Sequence, residues 1–254
     1  MSVREGVGEG EVSWLDLWTS DVAGSRQFYC SLFDWEAQAP SEEFGGYWMF
    51  TRAGVPIAGG MGDMGDAAAD DTWKIYLTTL DLAASVALAT QRGATVLSPP
   101  TPVADMGRQA VLCDPSGATF GLWEPGTFEG FSVLAEHGAP CWFELRTRNY
   151  EEAVAFYRDV CHLAATVMSD DGAMRYTTLS ARGHDVMGVL DAATRLGDAS
   201  SKWVVYWQVD DVDLALSRVT QLGGTVRHAA NDSPYGRVAT VADPAGAEFH
   251  LLSV

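Results

Sequence analysis

The chain repeats itself. The pattern G-R-x-A-x-x-x-D-P-x-G-A-x-F-x-L runs from Gly107 to Leu122 and returns, 129 residues later, from Gly236 to Leu251. Each copy reads as two short strands joined by a tight turn, because proline fixes φ at the second turn position and glycine suits the fourth. A turn-bearing hairpin recurring at that distance implies a duplicated domain. The likeness extends upstream: Cys141-Trp142-Phe143-Glu144-Leu145 matches Ser13-Trp14-Leu15-Asp16-Leu17, and Ala155-Phe156-Tyr157 matches Gln27-Phe28-Tyr29, both offset by 128.

Taken in order, residues 1–10 are glycine-rich and acidic and read as a loose lead-in. A strand follows from Val12 to Trp18, then a helix capped at Ser20-Asp21 that carries Val22, Phe28, Tyr29, Leu32 and Phe33. Gly45-Gly46 marks a turn before the aromatic strand Tyr47-Trp48-Met49-Phe50, and Val55–Met61 pairs with it. Met61–Asp71, rich in Gly, Ala and Asp, reads as a loop. A second unit starts at Trp73–Leu77, continues through a helix capped by Asp81 and ended at Gly93, and closes with the Gly107 hairpin. The pattern lapses between Pro125 and Pro140 and then restarts. Asn149 with Glu152 offers a capping box for the third helix, Trp203–Trp207 matches the strand at Trp73, and Val212, Ala215, Val219 and Leu222 mark one face of a fourth helix. The expected fold class is α+β: four βαβββ modules paired into two similar curved-sheet domains, 11–126 and 140–254, joined by a linker at 127–139.

Hydrophobic residues make up 47% of the 254 positions and charged ones 20%, which supplies ample core. The net charge of −18 disfavours nucleic acid or an anionic membrane as partner, since either needs a concentrated basic patch. The four cysteines show no C-x-x-C, and neither a signal peptide nor a span of membrane length is visible, which together read as a cytoplasmic protein. Monomer and homodimer are both open.

Side chains alternate across a strand, so residues of one parity share a face. Leu15 and Leu17 suit the face under the helix, which leaves Trp14, Asp16 and Trp18 together on the other; Trp142 and Glu144 share the matching face of the second copy. Aromatic walls with one acid suit a pocket for a flat ligand. The alternative is a sheet-packing core in which the carboxylates pair with arginines. Lys74 and Tyr76 share one strand face, as Val204 and Tyr206 do. Lys74 is either a pocket residue or solvated. Trp48 and Trp123 complete the expected aromatic lining. None of the five histidines has metal-ligand spacing; His250, beside Glu248, reads as a lone ligand or a hydrogen-bonded strand residue.

These motifs resemble the vicinal oxygen chelate superfamily of glyoxalases, extradiol dioxygenases and bleomycin-type resistance proteins. They comprise the capped helices with Phe28-Tyr29 and Phe156-Tyr157, Val209-Asp210-Asp211-Val212-Asp213 and both Asp-Pro-x-Gly-Ala hairpins. The Trp-x-Asp/Glu strands and Phe-Gly-Leu-Trp-Glu-Pro-Gly more narrowly resemble tandem-domain actinobacterial proteins labelled glyoxalase or hydroxylase. The resemblance implies two βαβββ modules around a cavity, with metal ligands in catalytic members at positions that fall here on Trp14, Lys74, Trp142, Val204, Gly121 and His250. Only His250 is a metal-binding side chain, so no cofactor is expected and a divalent metal is the lesser alternative. The function expected is metal-independent binding of an aromatic or polycyclic small molecule, with sequestration of an antibiotic or metabolite as its use. The alternative is a hydroxylase, lyase or isomerase in which Asp16 and Glu144 act as acid or base, and Trp14, Trp48, Lys74, Tyr76, Trp123, Trp142, Tyr206 and His250 hold the substrate.

Overall fold

The computed structural model describes residue 4 and residues 6–62, 71–172, 174–197 and 199–254. In the first half, β1 (Val12–Thr19), α1 (Val22–Phe33), β2 (Glu36–Ala37), β3 (Trp48–Arg52) and β4 (Val55–Gly62) precede β5 (Thr72–Thr78), α2 (Leu82–Gln91), β6 (Thr95–Val103), β7 (Gly107–Cys113) and β8 (Thr119–Pro125). The second half restates the order. It contains β9 (Pro140–Thr147), α3 (Tyr150–Val160), β10 (Ala164–Asp170), β11 (Arg175–Ala181), β12 (His184–Asp191), β13 (Lys202–Gln208), α4 (Val212–Gln221), β14 (Thr225–Ser233), β15 (Gly236–Ala242) and β16 (Glu248–Ser253).

Each half is one eight-stranded sheet, β2-β3-β4-β1-β5-β8-β7-β6 and β10-β11-β12-β9-β13-β16-β15-β14. The first strands of the two modules lie antiparallel at the centre, Asp16 opposite Lys74 and Glu144 opposite Val204. These are the expected curved-sheet domains. Among the described residues no helix is long and apolar enough to cross a membrane.

The helix caps follow the expectation at Asp21 and Asp81, whose carboxylates accept from Gly24 and Ala84 N–H at 2.9 Å, and Asp211 caps α4 in the same way through Leu214 N–H at 2.9 Å. Asn149 departs from it. Its amide nitrogen reaches Glu152 at 3.4 Å and its side chain makes no capping bond, so no capping box forms. The Asn149 backbone N–H, which Glu152 was to satisfy, is already taken by Thr147 Oγ1 at 3.0 Å.

The segment read as a loose lead-in is anchored at Arg4. Its guanidinium donates to Val12 O at 2.8 Å and pairs with Glu11, which is fully buried and also receives Arg182 Nε from the second half at 2.7 Å. The linker is packed too: Phe131 is buried, and its N–H donates to Ser13 O at 3.0 Å. Of the loop read at Met61–Asp71, Met61 and Gly62 extend β4, while 63–70 lie outside the described residues.

Both Asp-Pro hairpins form the turn the sequence implies. Gly117 N–H returns to Asp114 O at 3.0 Å with φ of 93°, and Asp114 Oδ1 gathers the N–H groups of Ser116 and Ala118. The other oxygen looks across the seam between the halves. Asp114 Oδ2 accepts the Tyr157 hydroxyl at 2.8 Å, and that hydroxyl accepts from Trp203 Nε1 at 3.0 Å. The reciprocal set is Trp73 Nε1 on Tyr29 at 3.0 Å, with Tyr29 and Ser25 bonded to Asp243. Around it, Trp207 packs on Phe33, Trp35 and Trp73, and Phe249 on Phe28 and Tyr29. The two sheets therefore share one aromatic core.

Candidate functional site

Alternation on β1 sends Leu15 and Leu17, both wholly buried, toward α1. Trp14, Asp16 and Trp18 go the other way and line a cavity of about 660 Å³. β5 contributes Tyr76 and β8 contributes Trp123. The segment between β2 and β3, through Gln38, Ser41, Phe44 and Tyr47, forms a roof, and Pro102, Val103 and Met106 close the far side. Asp16 is the one charged side chain among the described residues lining this space.

Asp16 sits in a web of donors. Its Oδ1 accepts Trp14 Nε1 at 3.0 Å and the Tyr47 hydroxyl at 2.8 Å, and Trp14 Nε1 also lies 2.8 Å from that hydroxyl. Tyr76 adds a further hydrogen bond. Burial pushes the Asp16 carboxyl above its ordinary range, and the bonds from Tyr47, Tyr76 and Trp14 with the charge of Lys74 only partly offset it. Burial and the neighbouring Asp16 charge likewise hold Tyr47 and Tyr76 well above the usual phenol range. Asp16 is thus a buried carboxyl held by neutral donors, with its pKa raised.

Two glycines make room for this cluster. A Cβ at Gly59, opposite Asp16, would fall 1.8 Å from Tyr47 Oη, and one at Gly121 would fall 2.1 Å from Tyr76 Cδ1. Tyr47 escaped the sequence reading, which singled out Trp48. The parity is shifted by one residue: Tyr47 and Met49 look into the cavity, while the Trp48 indole packs beside Phe50, beneath the Arg26 guanidinium and against Gly60 on the helix side. Trp48 also borders the cavity, as the sequence implies. Lys74 is placed with its Nζ 3.6 Å from the Trp18 ring centroid and is not one of the lining residues. Trp123 lines the cavity, its Nε1 donating to Phe128 O at 2.9 Å.

The second half repeats the cluster. Trp142 Nε1 donates to Tyr176 at 2.8 Å, Tyr206 donates to Glu144 Oε1 at 3.1 Å, and Tyr176 also bonds Glu144. Gly188 leaves space for Tyr176 as Gly59 does for Tyr47, a Cβ there falling 1.9 Å from the hydroxyl. Three replacements set the halves apart. Arg146 stands where the first half has Trp18, and its Nε donates to Glu144 at 2.9 Å. His250 stands where Gly121 does, stacked on Tyr206 at 4.4 Å. Val204 replaces Lys74. Burial depresses His250 far below the usual imidazole range, so it is neutral, with Nδ1 on Thr240 Oγ1 at 3.0 Å. In place of the roof, β10 runs on as an exposed strand. Trp142 also lines a separate cavity of about 440 Å³ at the seam, with Arg4, Phe143, Arg182 and His184.

A resident divalent cation does not fit these residues. Indoles at Trp14 and Trp142 offer no lone pair, Lys74 is a cation, Gly121 and Val204 bring no donor atom, and His250, with Nδ1 engaged by Thr240, leaves Nε2 as a single ligand atom where a divalent ion needs several. No three His, Cys, Asp or Glu side chains converge among the described residues.

Residues 14–123 match the model of a glyoxalase-like domain, and residues 140–251 match that of the Glyoxalase/Bleomycin resistance protein/Dioxygenase superfamily. The chain is 34% identical to "Anthracycline biosynthesis protein DauV" of Streptomyces sp. (strain C5), over 96% of this chain and 94% of that protein. It is 31% identical to "Putative glyoxylase CFP32" of Mycobacterium tuberculosis (strain CDC 1551 / Oshkosh), over 99% and 98%. Among solved structures, the Mn(II)-bound glyoxalase from Novosphingobium aromaticivorans superposes with a TM-score of 0.68 at 16% identity, covering 96% of this chain and 82% of that one, which is a likeness of fold.

Proposed function

The chain belongs to the glyoxalase/bleomycin resistance protein/dioxygenase superfamily, and from that premise we propose that it binds a polycyclic aromatic small molecule in its first-half cavity without a metal. The observation that carries this reading is the cavity itself: about 660 Å³, walled by Trp14, Trp18, Trp123 and Phe128, with the Asp16–Tyr47–Tyr76 cluster as its polar floor. Its volume lies in the range of small-molecule sites, and a few convergent polar groups on apolar walls fix a ligand's orientation. The name of the Streptomyces relative supports a ligand from aromatic natural-product metabolism. Titrating tryptophan fluorescence with a panel of polycyclic quinones and phenols tests it. Saturable quenching in the wild type that weakens at least tenfold in Trp14→Ala is expected; indistinguishable responses from the two proteins refute it.

A second reading is favoured by the raised pKa of Asp16, buried at the floor of the cavity, which suits a group that takes and returns a proton. In that case the protein is an enzyme of the same aromatic metabolism, and Asp16 moves a proton at a phenol or at a carbon beside a carbonyl. Glu144, tied to Arg146, holds its own half's phenols in place. Asp16→Asn then abolishes turnover while binding stays within about tenfold, because only the transition-state interaction is lost. Equal loss of both returns the protein to binding alone.

A further inference from the structure

The second half shows what its carboxylate–phenol pair accepts. Glu144 and Tyr206 are met by a guanidinium from the same strand: Arg146 Nε lies 2.9 Å from Glu144 Oε1, and its Nη2 lies 3.5 Å from the Tyr206 hydroxyl. The first half keeps the equivalent pair, Asp16 and Tyr76, in the same register on β1 and β5. The position of Arg146 is there taken by Trp18, and beside the pair opens a cavity of about 660 Å³. One half carries a cation hydrogen-bonded to its acid from inside the concave face. In the other, the cation beside the acid is Lys74, placed on the Trp18 ring and outside the cavity lining, and the acid faces aromatic walls and space.

Among the described residues lining that space, Asp16 is the one charged group. The remaining polar groups there are the phenols of Tyr47 and Tyr76, the carboxamides of Gln38 and Gln109 and the hydroxyls of Ser41 and Ser98, all neutral. The groups facing Asp16 are Trp14, Tyr47, Tyr76 and Lys74. The Lys74 ammonium lies on the Trp18 ring, outside the lining set. Indole and phenyl faces attract cations through their quadrupoles, and a chain of net charge −18 draws cations and repels anions at long range.

We infer that the first-half cavity selects planar aromatic ligands bearing an amidinium- or ammonium-type cation, seated on Asp16 and Tyr76 as Arg146 is seated on Glu144 and Tyr206. This rests on the cavity reading proposed above and adds the charge class of the ligand. Arg146 is, in this view, a built-in occupant, and Trp18 is the residue that leaves the first half open to an external one.

The test uses three probes of one ring system: 4′,6-diamidino-2-phenylindole, neutral 2-phenylindole and a 2-phenylindole carboxylate. Each is titrated by fluorescence into the full chain. The amidine is expected to bind at least tenfold tighter than the carboxylate, and the near-isosteric Asp16→Asn to remove most of that preference. Trp18→Arg, which copies the second half, is expected to weaken the amidine at least tenfold while keeping the wild-type circular dichroism spectrum and unfolding midpoint, which shows that the protein still folds. Tighter or equal binding of the carboxylate overturns the inference, as does full amidine affinity in Trp18→Arg. If all three probes bind equally, the cavity stands and the charge class falls. If none binds, both fall together.

Discussion

The Tyr157 hydroxyl, on α3 of the second half, donates to Asp114 Oδ2 in the β7–β8 turn of the first half at 2.8 Å. Both groups are buried, and Trp203 Nε1 leans on the same hydroxyl. Tyr157→Phe deprives the carboxylate of a donor and the indole of an acceptor. A loss of about 1–3 kcal/mol is expected, the usual cost of stranding a buried polar group. Urea unfolding followed by tryptophan fluorescence measures it. The same experiment on Tyr29→Phe, which breaks the reciprocal contact to Asp243, should give a similar loss in a single transition.

Asp16 makes stability depend on pH in an unusual direction. Burial raises its folded pKa above the ordinary 3.8, so through that window the folded state holds more protons than the unfolded one. Its contribution is therefore fully present below 3.8 and is lost as pH rises through the folded value. Asp16→Asn retains an acceptor oxygen without the charge. The variant should melt above the wild type at pH 7, with the gap closing toward pH 3.8 and below. Thermal unfolding across pH checks this; a variant less stable at pH 7 would show that the donors, and not burial, dominate the site.

Gly121 and Gly188 separate stability from binding. A methyl at either would collide with a tyrosine of its cluster, Tyr76 at 2.1 Å or Tyr176 at 1.9 Å. Overpacking of this kind costs about 1–3 kcal/mol. Both alanine variants should lose that much in chemical denaturation. Only Gly121→Ala displaces a cavity residue, so only it should weaken an aromatic probe, by at least tenfold.

Glu11 has no exposed surface and is met by Arg4, Arg182 and, at 3.4 Å, His184. Burial pushes its carboxyl upward, but the bonds from Arg182, Gly8 N–H and Arg4 together with the Arg4 charge outweigh it and leave the pKa below 4.5. The stability it contributes is complete above 4.5 and disappears as pH falls through the depressed value. Glu11→Gln should cost toward the low end of the ~3–5 kcal/mol typical of broken buried pairs, because Arg182 is half exposed. The variant's acid-denaturation limb should also be shallower than that of the wild type.

Much of this was readable in the residues. The duplicated Asp-Pro hairpins and the alternation in Trp14–Trp18 led to the module order and to the face that carries Asp16. Tyr47 was not reachable in the same way. It precedes a short strand after an irregular segment, so no parity could be anchored there, and of the two adjacent aromatics that border the cavity only Trp48 was singled out. The glycine pair at Gly59-Gly60 was the available signal, one making room for Tyr47 and the other for Trp48. The capping box at Asn149 failed because a threonine two residues upstream competes for the same N–H. Asp114 was legible as a turn residue only; its second oxygen meets a tyrosine 43 positions away, and local pattern carries no trace of such a contact.

The reciprocal tyrosine–aspartate contacts make this chain, in effect, two unequal subunits fused by a tether. A half cut free at the linker would bare Tyr29, Phe33 and Trp73, or their counterparts around Trp207 and Phe249, and would need another copy to cover them. Fusion removes that dependence on concentration and lets the two copies drift apart in sequence. The seam is made by Tyr157 and the Asp243 turn, and Arg146 is bonded to neither of them, so the concave face of the second half can differ from that of the first while the seam stays the same.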